Sequence, residues 1–226
     1  MISELKKVFL QKSPQLLVSI FLLFVAFPIQ SPAQSTGEWG MSIFGNYSRP
    51  IGGLADWFKP APDAGISVGQ KYNENWFIEG LIEYTKFDRE NLEGYPKDKL
   101  ELSLEHIGLL VSGRYSLGQI SIIKPYINLA AGVFYWKGIR GEVQADTTVQ
   151  PAVPHIDQKT LEEANWGFRS GIGFEIPVSS AIAMDILACY RFVLGDLYPT
   201  LQPNIELEGV SGFQTVNLSV ALRYYF

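Results

Sequence analysis

From residue 39 to the last residue, apolar and polar side chains alternate in one segment after another. Eight segments carry the pattern: 39–48, 64–72, 76–87, 104–116, 124–137, 165–176, 181–193 and 213–226. Successive side chains of a strand point to opposite faces, so this period predicts strands with one apolar face each. The last segment, FQTVNLSVALRYYF, holds the alternation to its end, with Leu218, Val220, Leu222, Tyr224 and Phe226 in one phase and Ser219, Ala221, Arg223 and Tyr225 in the other.

The connections alternate too. In order they are 49–63, 73–75, 88–103, 117–123, 138–164, 177–180 and 194–212, so long and short follow each other throughout. The short ones carry turn residues, as in Asn73-Glu74-Asn75. The long ones are polar and bear proline, as in DRENLEGYPKDK. DQKTLEEAN (157–165) is expected to form a short helix within the third long connection. A two-sheet sandwich in water has no reason to sort its loops by length onto two ends, whereas a membrane barrel has short turns at one rim and long loops at the other. Charged residues are 18% of the chain, against roughly 25% in soluble domains, which agrees with a surface that is not wholly aqueous. The pattern predicts an all-β fold, an eight-stranded antiparallel up-and-down transmembrane β-barrel over residues 34–226, with both termini periplasmic.

Residues 1–33 read differently. Lys6, Lys7 and Lys12 precede the apolar run LLVSIFLLFVAF (16–27), and small residues Ser31 and Ala33 stand before Gln34. That is the layout of a cleaved export signal, too short to span a bilayer, which takes ~20 residues. Its removal deletes three Lys and one Glu, taking the net charge from −5 to −7. No basic cluster follows, so nucleic acid is not an expected partner.

The two faces differ in kind. The apolar phase carries aromatic residues near strand ends: Trp39, Trp76, Tyr115 and Phe174 towards the short turns, and Tyr47, Tyr84, Tyr135, Trp166 and Tyr190 towards the long connections. Two aromatic belts flanking an aliphatic band are what the two interfaces of a membrane select, so outer-membrane lipids are the expected neighbours. The opposite phase holds Glu79, Glu83, Arg114, Arg169, Glu175, Asp185, Arg191 and Arg223. Charges inside so narrow a cylinder must pair. Counting from the short turns pairs Glu79 with Arg114 and Asp185 with Arg223. The inner phase of the fifth strand (Tyr126, Asn128, Phe134, Trp136) is an exception, since it has no charge.

The phase Leu218, Val220, Leu222, Tyr224, Phe226, together with the leader and the eight amphipathic strands, resembles the small eight-stranded outer-membrane barrels, the family that includes OmpX, OmpW and the membrane domain of outer-membrane protein A. The resemblance covers nearly all of residues 34–226. It implies the outer membrane of a Gram-negative-type bacterium, and a terminal strand recognised by the barrel-assembly machinery. No peptidoglycan-binding domain follows the last strand, so tethering to the cell wall is not implied.

Candidate chemistry is sparse. His106, in SLEHIG, points away from Glu105 along a strand and is out of phase with Ser103, so the three make a poor hydrolytic set and His106 is expected to hydrogen-bond to a neighbour at the rim or in the lumen. His155, in PHID, reads as a solvated loop residue, since one His and one Asp are too few to hold zinc. Cys189 reads as a small buried residue. No cofactor motif or Gly-rich phosphate loop is present. The expected function is that of a non-enzymatic membrane scaffold presenting long loops for envelope integrity, adhesion or host contact. A narrow channel for small or hydrophobic solutes, a lipid A-modifying enzyme and a lipocalin-like soluble barrel are the rival readings.

Overall fold

Alternating strands with one apolar face must bury that face or turn it towards an apolar solvent, and here the sheet curls until its edges meet. The computed structural model describes residues 37–88, 102–142, 148, 155, 157–197 and 210–226. Its strands are β1 (Trp39–Ile51), β2 (Ala61–Lys71), β3 (Trp76–Phe87), β4 (Leu102–Ser116), β5 (Lys124–Arg140), β6 (Lys159–Pro177), β7 (Ile182–Leu197) and β8 (Val210–Tyr225). Each pairs antiparallel with the next, and β8 returns to β1, closing the barrel. The seam runs to the last residue. Trp39 and Phe226 each donate a backbone N–H to the other's carbonyl, at 3.0 and 2.8 Å. Among the described residues every strand has a neighbour on both sides, as a hydrocarbon environment requires.

Several strands outrun their alternating segments. β6 starts at Lys159, so the expected helix over 157–165 does not form. From Lys159 to Glu175 every residue has a partner on β5, beginning Arg140↔Lys159 and Ile139↔Thr160. A short isolated helix is marginal, and a ready-made neighbouring strand wins. β2 starts at Ala61, and the connection before it holds a 3-10 turn, Gly52–Asp56. The leader expected at residues 1–33 lies outside the described residues, as do 89–101 and 198–209 within the long connections.

The short turns are held by their own side chains. Asn73 Oδ1 accepts from the N–H groups of Asn75 (2.9 Å) and Trp76 (2.8 Å). Ser179 Oγ accepts from those of Ala181 (3.3 Å) and Ile182 (3.1 Å). The β4–β5 turn closes on an Ile120↔Ile123 bridge, with Ser121 at φ 58°.

The outward face is apolar and exposed. Ile43, Ile66, Ile82, Val111 and Leu129 lie on it, with Trp39, Trp76, Tyr115, Tyr224 and Phe226 towards the short-turn end and Tyr47, Tyr84, Tyr135 and Trp166 towards the other. Phe174 and Tyr190 are half-buried, and Tyr190 donates its hydroxyl to Gln214 at 3.1 Å. Trp76 and Tyr115 pair with ring centroids 5.1 Å apart. The inward face holds the charged residues, among them Glu79, Arg114, Arg191 and Arg223. A lipocalin-like soluble barrel would have these two faces the other way round.

Candidate functional site

The lumen is layered from one rim to the other. Towards the short turns, Arg114 Nη1 meets Asp185 Oδ2 at 3.1 Å, and Arg114 Nη2 stands 3.6 Å from Glu175 Oε2. Arg223 joins Asp185 Oδ2 (3.1 Å, through Nε) to Glu79 Oε2 (3.0 Å, through Nη2). Neutral groups complete this layer. Ser67 donates to Glu79 at 2.7 Å, and Tyr225 donates to Glu175 at 2.6 Å. The guanidinium of Arg114 lies over the Tyr126 ring at 3.9 Å, and that of Arg223 over Phe77 at 4.6 Å.

Glu79 and Arg114 do not form the ion pair expected of them. The register sets Ser112 opposite Glu79 and Phe77 opposite Arg114, a stagger of two residues. In so narrow a barrel an arginine reaches across the lumen as easily as along the wall, and Arg114 takes its carboxylate from β7. Asp185 and Arg223 do meet, and Asp185 serves both arginines.

A second charged layer lies nearer the long connections. Arg191 Nη1 meets Asp63 Oδ2 at 3.0 Å and Glu83 Oε1 at 2.8 Å, and Arg169 Nη1 meets Glu83 Oε2 at 3.1 Å. Thr85 (2.9 Å) and Ser48 (3.0 Å) donate hydroxyls to Asp63. Both layers are buried, and each carboxylate faces at least one guanidinium, the condition under which charges survive away from water.

Above the second layer the lumen turns apolar. The 3-10 turn folds inward so that Leu54, Trp57 and Phe58 are 0%, 2% and 2% exposed. The backbone of that turn is tied down by the N–H groups of Trp57 (3.3 Å) and Phe58 (3.1 Å), both donating to the Leu54 carbonyl. These side chains join Phe87, Leu104, Phe134, Trp136 and Phe213 in one buried cluster. Phe58 meets Phe87 at 6.0 Å between centroids, and Trp136 meets Phe213 edge-on at 5.0 Å. The Trp136 indole N–H donates to Asn165 Oδ1 at 2.6 Å.

The lack of charge on the inner face of the fifth strand from Tyr126 to Trp136 now has a reason. Phe134 and Trp136 supply the apolar cap, Tyr126 supports Arg114, and Asn128 donates to Ser112 at 2.7 Å. Glycines make room for Phe134. A Cβ on Gly108 or on Gly167 would lie 2.6 Å from its ring.

His106 sits inside this cap rather than at the rim. It is 1% exposed, and neither ring nitrogen has a hydrogen-bond partner. The expected bond to a neighbour is absent. The imidazole instead makes T-shaped contacts with Phe87 (5.8 Å between centroids) and Phe134 (5.9 Å). Cys189 is buried in the lumen wall beside Asn217. His155 is exposed, 3.1 Å from Asp157 Oδ1 and 3.9 Å from Glu142 Oε1.

A cavity of about 30 Å³ lies between the layers, bordered by Glu79, Arg114 and Asp185, and a vestibule of about 170 Å³ opens at the short-turn rim, floored by Arg114, Tyr126 and Tyr225. The first can hold a water molecule or two and nothing larger.

Residues 19–226 match the model of the outer membrane protein beta-barrel domain family. The chain belongs to that family. Its members are barrels of the bacterial outer membrane, so the exposed apolar face described above is the lipid-facing wall of a membrane-spanning barrel. Among solved structures, a major outer membrane protein from Thermus thermophilus is similar over 83% of this chain and 99% of its own, with a TM-score of 0.51 and 7% identity. Neisserial surface protein A is similar over 84% of this chain and 99% of its own (TM-score 0.49, 14% identity). The attachment invasion locus protein Ail of Yersinia pestis is similar over 85% of this chain and 100% of its own (TM-score 0.48, 11% identity). Comparison with curated proteins finds no match.

Sequence reasoning missed Asp63 and the inward turn of Trp57 and Phe58. Asp63 was legible in principle: continuing the second strand's alternation back from Ser67 brings it onto the inner phase. The stretch GGLADWF has no period, and nothing local marks it as the barrel's stopper.

Proposed function

We propose that this outer-membrane barrel is a non-enzymatic scaffold. It presents its other long connections, at 88–101, 141–158 and 198–209, for envelope integrity, adhesion or host contact, while the first, at 52–60, turns inward to fill the lumen. The observation that carries the reading is the filled lumen. An apolar stopper of Leu54, Trp57 and Phe58 lies above two layers of paired charges. An apolar constriction excludes water and ions, and the paired arginines beneath it cross the remaining width. A wall this rigid suits a platform, and loops carried on a rigid scaffold are where function concentrates.

In this reading the short turns and both termini face the periplasm, the usual sense for barrels with loops of two lengths. The outer-membrane lipids contact the wall, and the strand Leu218, Val220, Leu222, Tyr224, Phe226 is the one the barrel-assembly machinery engages. His106 supports the non-enzymatic reading, since neither ring nitrogen has a hydrogen-bond partner and the ring packs against Phe87 and Phe134.

Planar-bilayer recording of the refolded protein tests the platform, and silence is expected. Steady openings would replace this reading with that of a narrow channel. Mass spectrometry of lipid A from cells with and without the protein tests the enzymatic alternative, and identical spectra are expected.

A further inference from the structure

The three short turns differ in chemistry. The turn after β2 is polar and held by Asn73, and the turn after β6 is held by Ser179 and exposes a single aliphatic side chain, Val178 (65%). The turn between β4 and β5, SLGQISIIK, has no acid and exposes four aliphatic side chains: Leu117 (56%), Ile120 (71%), Ile122 (66%) and Ile123 (39%). An isolated exposed Leu is ordinary on a protein surface, but four together at the tip of one hairpin are an apolar patch.

Their direction is set by strand phase. On β4 the odd-numbered residues from Ile107 to Tyr115 face lipid, and Leu117 continues that column. On β5 the odd-numbered residues Ile127 and Leu129 face lipid, and Ile123 continues that column in the other direction. The Leu117 N–H donates to the Pro125 carbonyl at 2.9 Å, so the hairpin carries the wall's pairing past the aromatic Tyr115. Ile120 and Ile123 face each other across their bridge, which places both on the same side of the hairpin. Leu117, Ile120 and Ile123 therefore extend the lipid-facing wall beyond its aromatic belt. The one charged residue of the stretch, Lys124, lies on the other phase and turns to Glu175 at the lumen mouth, Nζ to Oε1 3.7 Å.

We propose that the 117–123 hairpin is a membrane anchor, buried in the headgroup and upper acyl region of the phospholipid leaflet at the short-turn end. The occupant of this surface is lipid, because the patch is continuous with the wall that already meets lipid and follows the same strand phase. The assignment of that leaflet to the periplasmic side rests on the orientation proposed above; contact with lipid does not.

The test uses the full chain with Cys189→Ala, refolded into phosphatidylethanolamine–phosphatidylglycerol vesicles and carrying a nitroxide at Leu117→Cys or, independently, at Ile120→Cys. Leu129→Cys serves as the lipid-facing reference and Glu74→Cys as the aqueous one. Collision with oxygen is expected to exceed collision with a water-soluble nickel chelate at both hairpin positions, as at Leu129. Collision dominated by the nickel chelate, as at Glu74, overturns the proposal. So does protection from both reagents, which would mean a protein partner or a second copy on the patch. The readout does not depend on which side of the membrane the hairpin occupies, so a wrong orientation and a failed anchor are distinguished by adding the chelate to one side at a time.

Discussion

Arg191 and Asp63 meet at 3.0 Å across the lumen, although 128 positions separate them in the chain. The same Nη1 lies 2.8 Å from Glu83 Oε1, so one guanidinium serves two carboxylates. Removing it strands Asp63 in a buried layer and leaves Glu83 to Arg169 alone, whereas removing Asp63 leaves Arg191 with Glu83. Arg191→Leu is therefore expected to cost about 3–5 kcal/mol, the usual penalty for orphaning a buried charge, and Asp63→Asn distinctly less. Urea unfolding of each variant in vesicles, followed by the gel shift between folded and boiled forms, gives the order. Equal costs would contradict the two-acid geometry.

Closure of the lumen is doubly secured. Trp57→Ala with Phe58→Ala removes most of the inward turn's bulk, at about 3–5 kcal/mol for each buried aromatic lost. The layer of Arg191, Arg169 and Glu83 stays in place beneath it. Planar-bilayer recordings of that double variant are therefore expected to remain quiet. Openings should arise only when Arg169→Ala and Arg191→Ala are added. Openings in the double variant would show that the aromatic cap is the only barrier.

Gly108 and Gly167 bracket the ring of Phe134. Gly108→Val is expected to destabilise the barrel by about 1–3 kcal/mol through overpacking. Phe134→Leu, which vacates part of that space, should recover some of the loss. A double-mutant cycle with coupling near zero would mean that the ring and the glycine do not share the space.

The apolar wall can be probed directly. Val111→Arg, halfway between the aromatic belts, is expected to cost about 2–4 kcal/mol, as a cation facing mid-bilayer does. Lys86 and Lys137, on the same face beyond Tyr84 and Tyr135, pair with Glu105 and Glu162 at 2.9 and 2.8 Å. Lys86→Met should therefore change stability little, since exposed pairs contribute little.

Beyond the belt, the hydrogen bond from Lys137 and then that from Tyr135 hold the Glu162 carboxyl below its ordinary range. A depressed carboxylate pKa favours the folded state above the unfolded value, and that benefit fades as pH falls through the folded one. The pair is exposed and screened by salt, so the effect belongs to local titration rather than to global stability. Lys137→Met is expected to move the Glu162 titration upward in carboxyl-carbon NMR. An unchanged midpoint would contradict the pairing.

Phase was legible in the sequence, and partnership was not. Period-two alternation placed Glu79, Arg114, Asp185 and Arg223 on the inner face, because a strand's geometry is local. Which arginine meets which acid depends on stagger and on lumen width, and neither is a local quantity; hence Arg114 turns to Asp185 and leaves Glu79 to Arg223. The stopper was hidden for a related reason. Trp57 and Phe58 are buried by a turn that enters the barrel end-on, and no periodicity marks such an entry. His106 read as a polar group in need of a partner, and only the surrounding rings of Phe87 and Phe134 show otherwise.

The reciprocal amide bonds of Trp39 and Phe226 bear on how such a molecule comes into being. The two strands they join are the first and last of eight, so most of the polypeptide must be in place before the cylinder can shut. Until then two rows of amides stand bare, and a half-made wall cannot rest in oil. Shutting the circle is thus a condition for resting in the bilayer, because only the closed cylinder leaves no amide row bare.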